Sequence, residues 1–230
     1  MPLSAPADRR LMHTRQIHCQ GFRRADDFWD IEGHITDTKS YSFDNDHRGT
    51  IVPGDPLHDM WVRVTLDDRM TIRAVEVSMD KTPYGLCAGI TPNFQALVGL
   101  RIKGGFTRAV KERLGGVHGC THVVELMGPI ATTAFQTIYP ILARERAERA
   151  ARSAEAETST PQTGTDEPRR AARRPPPLLN TCHAYASNGA LVRQKWPEFY
   201  TGSSEATGDA PSGCDPEQTP EPAETRSRSS

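Results

Sequence analysis

No run of apolar residues in this 230-residue chain is long enough to span a bilayer, so no membrane segment is expected. There is no CxxC pair, and the five cysteines follow no regular spacing. A disulfide scaffold is therefore not expected, which leaves free or metal-bound thiols. Neither sign of charge dominates: 28 Lys+Arg against 29 Asp+Glu give a net charge of -1, so no global basic field points to nucleic acid. Gly104-Gly105 and Gly115-Gly116 fit neither a GxGxxG fingerprint nor a P-loop, and no GxSxG elbow or HExxH pair occurs. The opening MPLSAPADRRLMHTR has no apolar core of the kind a secretory signal needs. A cytoplasmic, reducing compartment is the default expectation.

What is present is a moderate hydrophobic content of 36%, which suits one modest domain with poorly folded extensions. Residues 1–10 read as a flexible lead. From His13 to Phe22 the chain alternates as a strand, and FWDIEGHITDT from Phe28 to Thr38 reads as a second. Asn45-Asp46-His47-Arg48-Gly49 is turn chemistry. Met60–Leu66 and Ile72–Met79 alternate around the tight Asp67-Asp68-Arg69 connection, as a hairpin does.

After Cys87 the period changes. Ile90, Phe94, Leu97 and Val98 are spaced helically, Phe106–Leu114 predicts a short amphipathic helix, and a third helix is expected from near Cys120 through Ile138. These readings predict an α+β fold. An antiparallel sheet of four or five strands carries three helices on one face, and residues 11–142 make up the core domain.

Beyond it, RERAERAARSAEAE predicts a charged helical arm, and TSTPQTGTDEPRRAARRPPP predicts a disordered linker, together covering 143–177. Residues 178–200 carry enough apolar and aromatic side chains to dock back on the core. Residues 201–230 read as a disordered tail rich in Pro, Ser, Glu and Thr.

Three small clusters hold candidate metal ligands. His58 and Asp59 lie in PGDPLHDMWVRV, read as a turn ahead of a buried strand. Cys87 lies in TPYGLCAGI, between a strand and a helix. Cys120 and His122 lie in LGGVHGCTHVVEL, at a helix start. Thiolate, imidazole and carboxylate groups drawn from separate elements are the usual ingredients of a metal site. Cys87 and Cys120 are expected to converge on one cleft. Adjacent strand residues point to opposite faces, so only one of His58 and Asp59 is expected to ligate. Glu32 and His34 share one face of the second strand and read as a polar sheet face; the alternative is that they border a pocket together with Asp37. Cys182-His183 follows the linker and is placed to cover the site or to pack.

FWDIEGHITDTKSYSF, PGDPLHDMWVRVTLDD, TPYGLCAGITPNFQALVGLRI, LGGVHGCTHVVELMGPIATTAFQT and LNTCHAYASNG together resemble a bacterial family catalogued only as a domain of unknown function, number 2889 in that series. The order of elements is also similar to that of iron-sulfur scaffold proteins of the NifU/IscU/SufE type. That second resemblance implies a metal or cluster held by Asp59 or His58 with Cys87 and Cys120, and it departs from the scaffold pattern in lacking a first cysteine.

The readings to be tested follow from these residues. The first is a metal-binding or iron-sulfur-handling protein, with zinc, iron or an iron-sulfur cluster as cofactor. The second is a thiol enzyme in which Cys120 is the nucleophile and His122 or His118 the base. The third is an accessory subunit whose arm and tail bind a partner protein.

Overall fold

A computed structural model of the chain describes residues 3–158, 175–176 and 178–202. The chain divides into two units, Met1–Gln162 and Thr163–Ser230. Most of the expected linker and nearly all of the expected tail lie outside the described residues, as does Cys214.

Alternation of apolar and polar residues produces the strands of the first unit. These are β1 (His13–Arg23), β2 (Trp29–Lys39), β3 (Phe43–Asn45), β4 (Gly49–Ile51), β5 (Pro56–Leu66) and β6 (Ile72–Lys81). Four of them form one antiparallel sheet in the order β1-β2-β5-β6, and β3-β4 form a separate hairpin. In β2 the odd positions Trp29, Ile31, Gly33, Ile35 and Asp37 are buried, and the even positions are half-buried. The same period of two turns Met60, Val62 and Val64 of β5 inward.

Helices cover that inner face. The helical pattern after Cys87 gives a 3-10 helix, Cys87–Leu97, which buries Phe94 and Leu97 and packs against β6. Helix α1 (Phe106–Leu114) buries Phe106, Val110 and Leu114, one face at a spacing of four. Helix α2 (Thr121–Thr158) crosses β1, β2 and β5. Its buried positions are Val123, Leu126, Met127, Ile130, Ala134, Ile138 and Leu142, and the helix runs on through Pro129 and Pro140. Past Leu142 no described residue of α2 is buried, because the sequence there is Arg, Glu and Ala with no apolar stripe. The architecture is α+β, as the alternation and helical spacing predict.

Two features differ from the sequence reading. The Asn45–Gly49 turn joins two real strands of three residues each, too short to show a period. Asn45 Oδ1 accepts from the His47 and Arg48 amides at 3.1 and 2.9 Å, and Gly49 takes φ 72°, so turn chemistry builds the hairpin. The other difference is that β5 begins at Pro56. His58 and Asp59 therefore lie within a paired strand and not in a turn.

In the second unit, 3-10 turns at His183–Tyr185 and Pro197–Phe199 flank α3 (Ala190–Lys195). Tyr185 stacks on Trp196 with ring centroids 5.5 Å apart, and Cys182 is exposed.

Where α2 crosses the sheet, β1 and β2 carry glycines. A Cβ on Gly33 would lie 2.8 Å from Ile130 Cδ1, and one on Gly21 would lie 2.8 Å from Thr137 Cβ. Close approach of helix and sheet requires both. Gly33→Val should lower stability by about 1–3 kcal/mol, the cost of overpacking a dense core, even though valine favours strands. Urea unfolding of the two proteins measures it.

Candidate functional site

The inward face of β2 carries one residue that does not belong in an apolar core. Asp37 is 1% exposed. A buried carboxylate must be matched by donors, and the sheet register supplies them. Arg15 of β1 and His58 of β5 are the cross-strand neighbours of Asp37 on either side, so the three form one line across the sheet.

Arg15 Nε and Nη2 donate to Asp37 Oδ1 and Oδ2, each at 2.8 Å, in a two-pronged ion pair. His58 Nδ1 donates to Oδ2 at 2.9 Å, and His13 Nε2 lies 3.1 Å from Oδ1. Helix α2 lowers His122 onto this line from its first turn. The His122 ring centroid is 3.7 Å from that of His58, and its Nε2 is 3.8 Å from Asp37 Oδ2. On the far side of the same ring, His122 Nδ1 is 3.8 Å from Cys120 Sγ. Arg15 also bonds Glu125 of α2, which ties the helix to the edge strand.

The electrostatics follow from this crowding. Burial raises the Asp37 carboxyl, but the bond and charge of Arg15 and the His58 bond outweigh it and bring the pKa down to about 2. Both imidazoles titrate below their ordinary range. For His58 the causes are burial and then the charge of His122, and for His122 they are burial and then the Arg15 guanidinium. At neutral pH the cluster is thus a carboxylate with two neutral imidazoles, the protonation state in which all three ligate metals.

Among the described residues, Asp37, His58 and His122 are the group of three whose ligand atoms all lie within 4.8 Å of one another. Two of the five residues singled out in the sequence, His58 and His122, therefore meet here, joined by Asp37. Asp59 does not share the site. It faces the other side of β5, where His34 Nε2 is 2.6 Å from its Oδ1 and stacks on Trp61. The strand period separates it from His58. Cys87 opens the 3-10 helix and is not in the group, and Cys120 is outside it and reaches His122.

The sequence reading groups Asp37 with Glu32 and His34, which the strand period turns to the other face, and does not join it to Arg15 and His13, although a signal was there. Asp37 shares the odd parity of Trp29, Ile31 and Ile35, so the alternation alone turns it toward the core. A carboxylate at such a position demands a cation across the sheet, and β1 offers His13 and Arg15 at alternating positions.

The chain is an α+β domain with a two-histidine, one-carboxylate cluster at one end of its sheet. A family model described as a protein of unknown function (DUF2889) matches residues 13–136, more than half of the chain. The chain belongs to that family. No curated protein and no solved structure matches it. Among the described residues no helix is long and apolar enough to cross a membrane.

The lowered pKa of Asp37 predicts an acid dependence. A depressed carboxyl contributes stability that is complete above its ordinary value of 3.8 and is lost as pH falls toward 2. The depressed imidazoles act in the same direction, beginning below their ordinary value of 6.5. Removing the titrating carboxyl with Asp37→Asn should flatten the fall in urea stability between pH 4 and pH 2 by on the order of 2 kcal/mol. Parallel titrations of both proteins check the slope.

Proposed function

We propose that this protein binds one divalent first-row metal ion through Asp37, His58 and His122. The observation that carries the reading is the spacing of the donor atoms. Bonds of about 2.1 Å in a tetrahedral arrangement place ligand atoms about 3.4 Å apart. Asp37 Oδ2 lies 2.9 Å from His58 Nδ1 and 3.8 Å from His122 Nε2, on either side of that value.

To hold an ion, His58 would carry its ring proton on Nε2 instead of Nδ1, which would free the Nδ1 lone pair beside Asp37. Arg15 stays on the carboxylate and holds its orientation, while its charge subtracts from the affinity. Three protein donors leave a fourth position for water or a substrate, the arrangement of catalytic rather than structural sites. The donor set has imidazole and carboxylate but no thiolate. It fits zinc or ferrous iron, and it does not fit an iron-sulfur cluster, whose ligands are chiefly thiolates.

The thiol-enzyme reading keeps one supporting observation, the chain Cys120 Sγ–His122–Asp37 with two steps of 3.8 Å. The order nucleophile, base, carboxylate is that of nucleophilic catalysis. The His122–Asp37 step is longer than the about 2.6–3.2 Å of an engaged nitrogen–oxygen relay, so the carboxylate does not orient this ring as a base, which favours the metal reading.

Full-length protein prepared without oxygen and dialysed against Zn²⁺ should retain one equivalent by elemental analysis. His58→Ala and His122→Ala should each abolish retention, and Cys87→Ser should leave it unchanged. Retention of zinc by both histidine variants would exclude the site.

A further inference from the structure

Cys120 stands beside the cluster without belonging to it. The residue precedes the first turn of α2, and its carbonyl accepts the Val124 amide at 2.9 Å, so the backbone there is fixed by the helix it starts. Its sulfur meets His122 on the ring edge opposite the one that faces Asp37. An imidazole has two nitrogens, and a neutral ring carries one proton between them. What the two edges meet decides which nitrogen keeps a lone pair.

On the Nε2 edge the acceptor is Asp37 Oδ2 at 3.8 Å, too far for a hydrogen bond to oxygen. That oxygen already accepts from Arg15 Nη2 at 2.8 Å and His58 Nδ1 at 2.9 Å, and the guanidinium matches its charge. On the Nδ1 edge the neighbour is the Cys120 sulfur at the same 3.8 Å, and the larger radius of sulfur makes that separation a bonding one.

We propose that Cys120 is a positioning residue for His122: its sulfur accepts the Nδ1 proton and so turns the Nε2 lone pair toward Asp37 and His58. The inference rests on the metal reading for its purpose, and it gives Cys120 a part different from the one its sequence suggests. It is not a ligand, because the ring of His122 stands between its sulfur and Asp37. Instead it does for His122 what a carboxylate or a backbone carbonyl does for many metal-bound histidines, fixing the tautomer and the ring plane. The spacing Cys-x-His, too short for two ligands on one helix face, is the right length for this, since one residue caps the helix and the other sits in its first turn.

The test is nitrogen-15 NMR of the histidine rings in the full-length protein, metal-free and zinc-loaded, at a pH where the rings are neutral. The metal-free wild type should show His122 protonated at Nδ1, and zinc should perturb its Nε2. Cys120→Ala should give a mixture of tautomers and weaken zinc binding by about 10–100-fold, the usual cost of losing such a partner. Cys120→Ser, which keeps an acceptor and a good helix cap, should recover part of both, a rescue that a merely structural role would not show. An Nε2-protonated ring in the metal-free wild type overturns the proposal. So does a thiolate-to-metal charge-transfer band in the cobalt-loaded wild type that Cys120→Ala removes, because the sulfur would then be a ligand. An Nδ1-protonated ring in a protein that binds no zinc upholds the orientation and overturns the metal reading, so the two failures are distinguishable.

Discussion

A carboxylate buried to 1% exposure organises one end of this domain. Asp37 is shut away from solvent, so its charge must be met by protein groups, and a buried ionised carboxyl left unmatched would cost several kcal/mol. Arg15 and His13 arrive from the edge strand, and His58 from the strand on the other side. His122 closes over the line from the start of α2. The same guanidinium reaches Glu125, so the ion pair that solvates Asp37 also pins the first turns of α2 to β1. The rest of the helix is held by ordinary packing of Val123 through Leu142 over glycines that let it approach.

Much of the fold was legible in the residues because period carries it. Alternation in WDIEGHITDT and MWVRVTL marked β2 and β5, and Phe106, Val110 and Leu114 marked α1 with the boundaries that the structure shows. Elements without a period were not legible. The β3-β4 hairpin has strands of three residues, and β5 extends back over Pro56 and Leu57, where Pro-Gly-Asp-Pro reads as a turn.

Part of the candidate cluster was legible. His58 and His122 stood out because metal-binding residue types at element boundaries are easy to see. Asp37 was noticed only beside Glu32 and His34, and Arg15 not at all, because their meaning depends on register: an aspartate is ordinary until the strand parity turns it inward, and an arginine is ordinary until pairing sets it opposite. The cysteines drew attention by their chemistry, yet geometry makes Cys120 a neighbour of the cluster and leaves Cys87 outside it. Residue type proposes a site, and the pairing of strands decides its membership.

A cluster of neutral imidazoles around a carboxylate held near a pKa of 2 is the charge state a divalent ion needs. X-ray absorption at the metal edge of the zinc-loaded, full-length protein tests this most directly, since it reads the donor atoms themselves. The account predicts a first shell of nitrogen and oxygen at about 2.0–2.2 Å with the outer scattering of two imidazoles and no sulfur at about 2.3 Å. A sulfur shell, or a zinc ion without imidazole scattering, would contradict it.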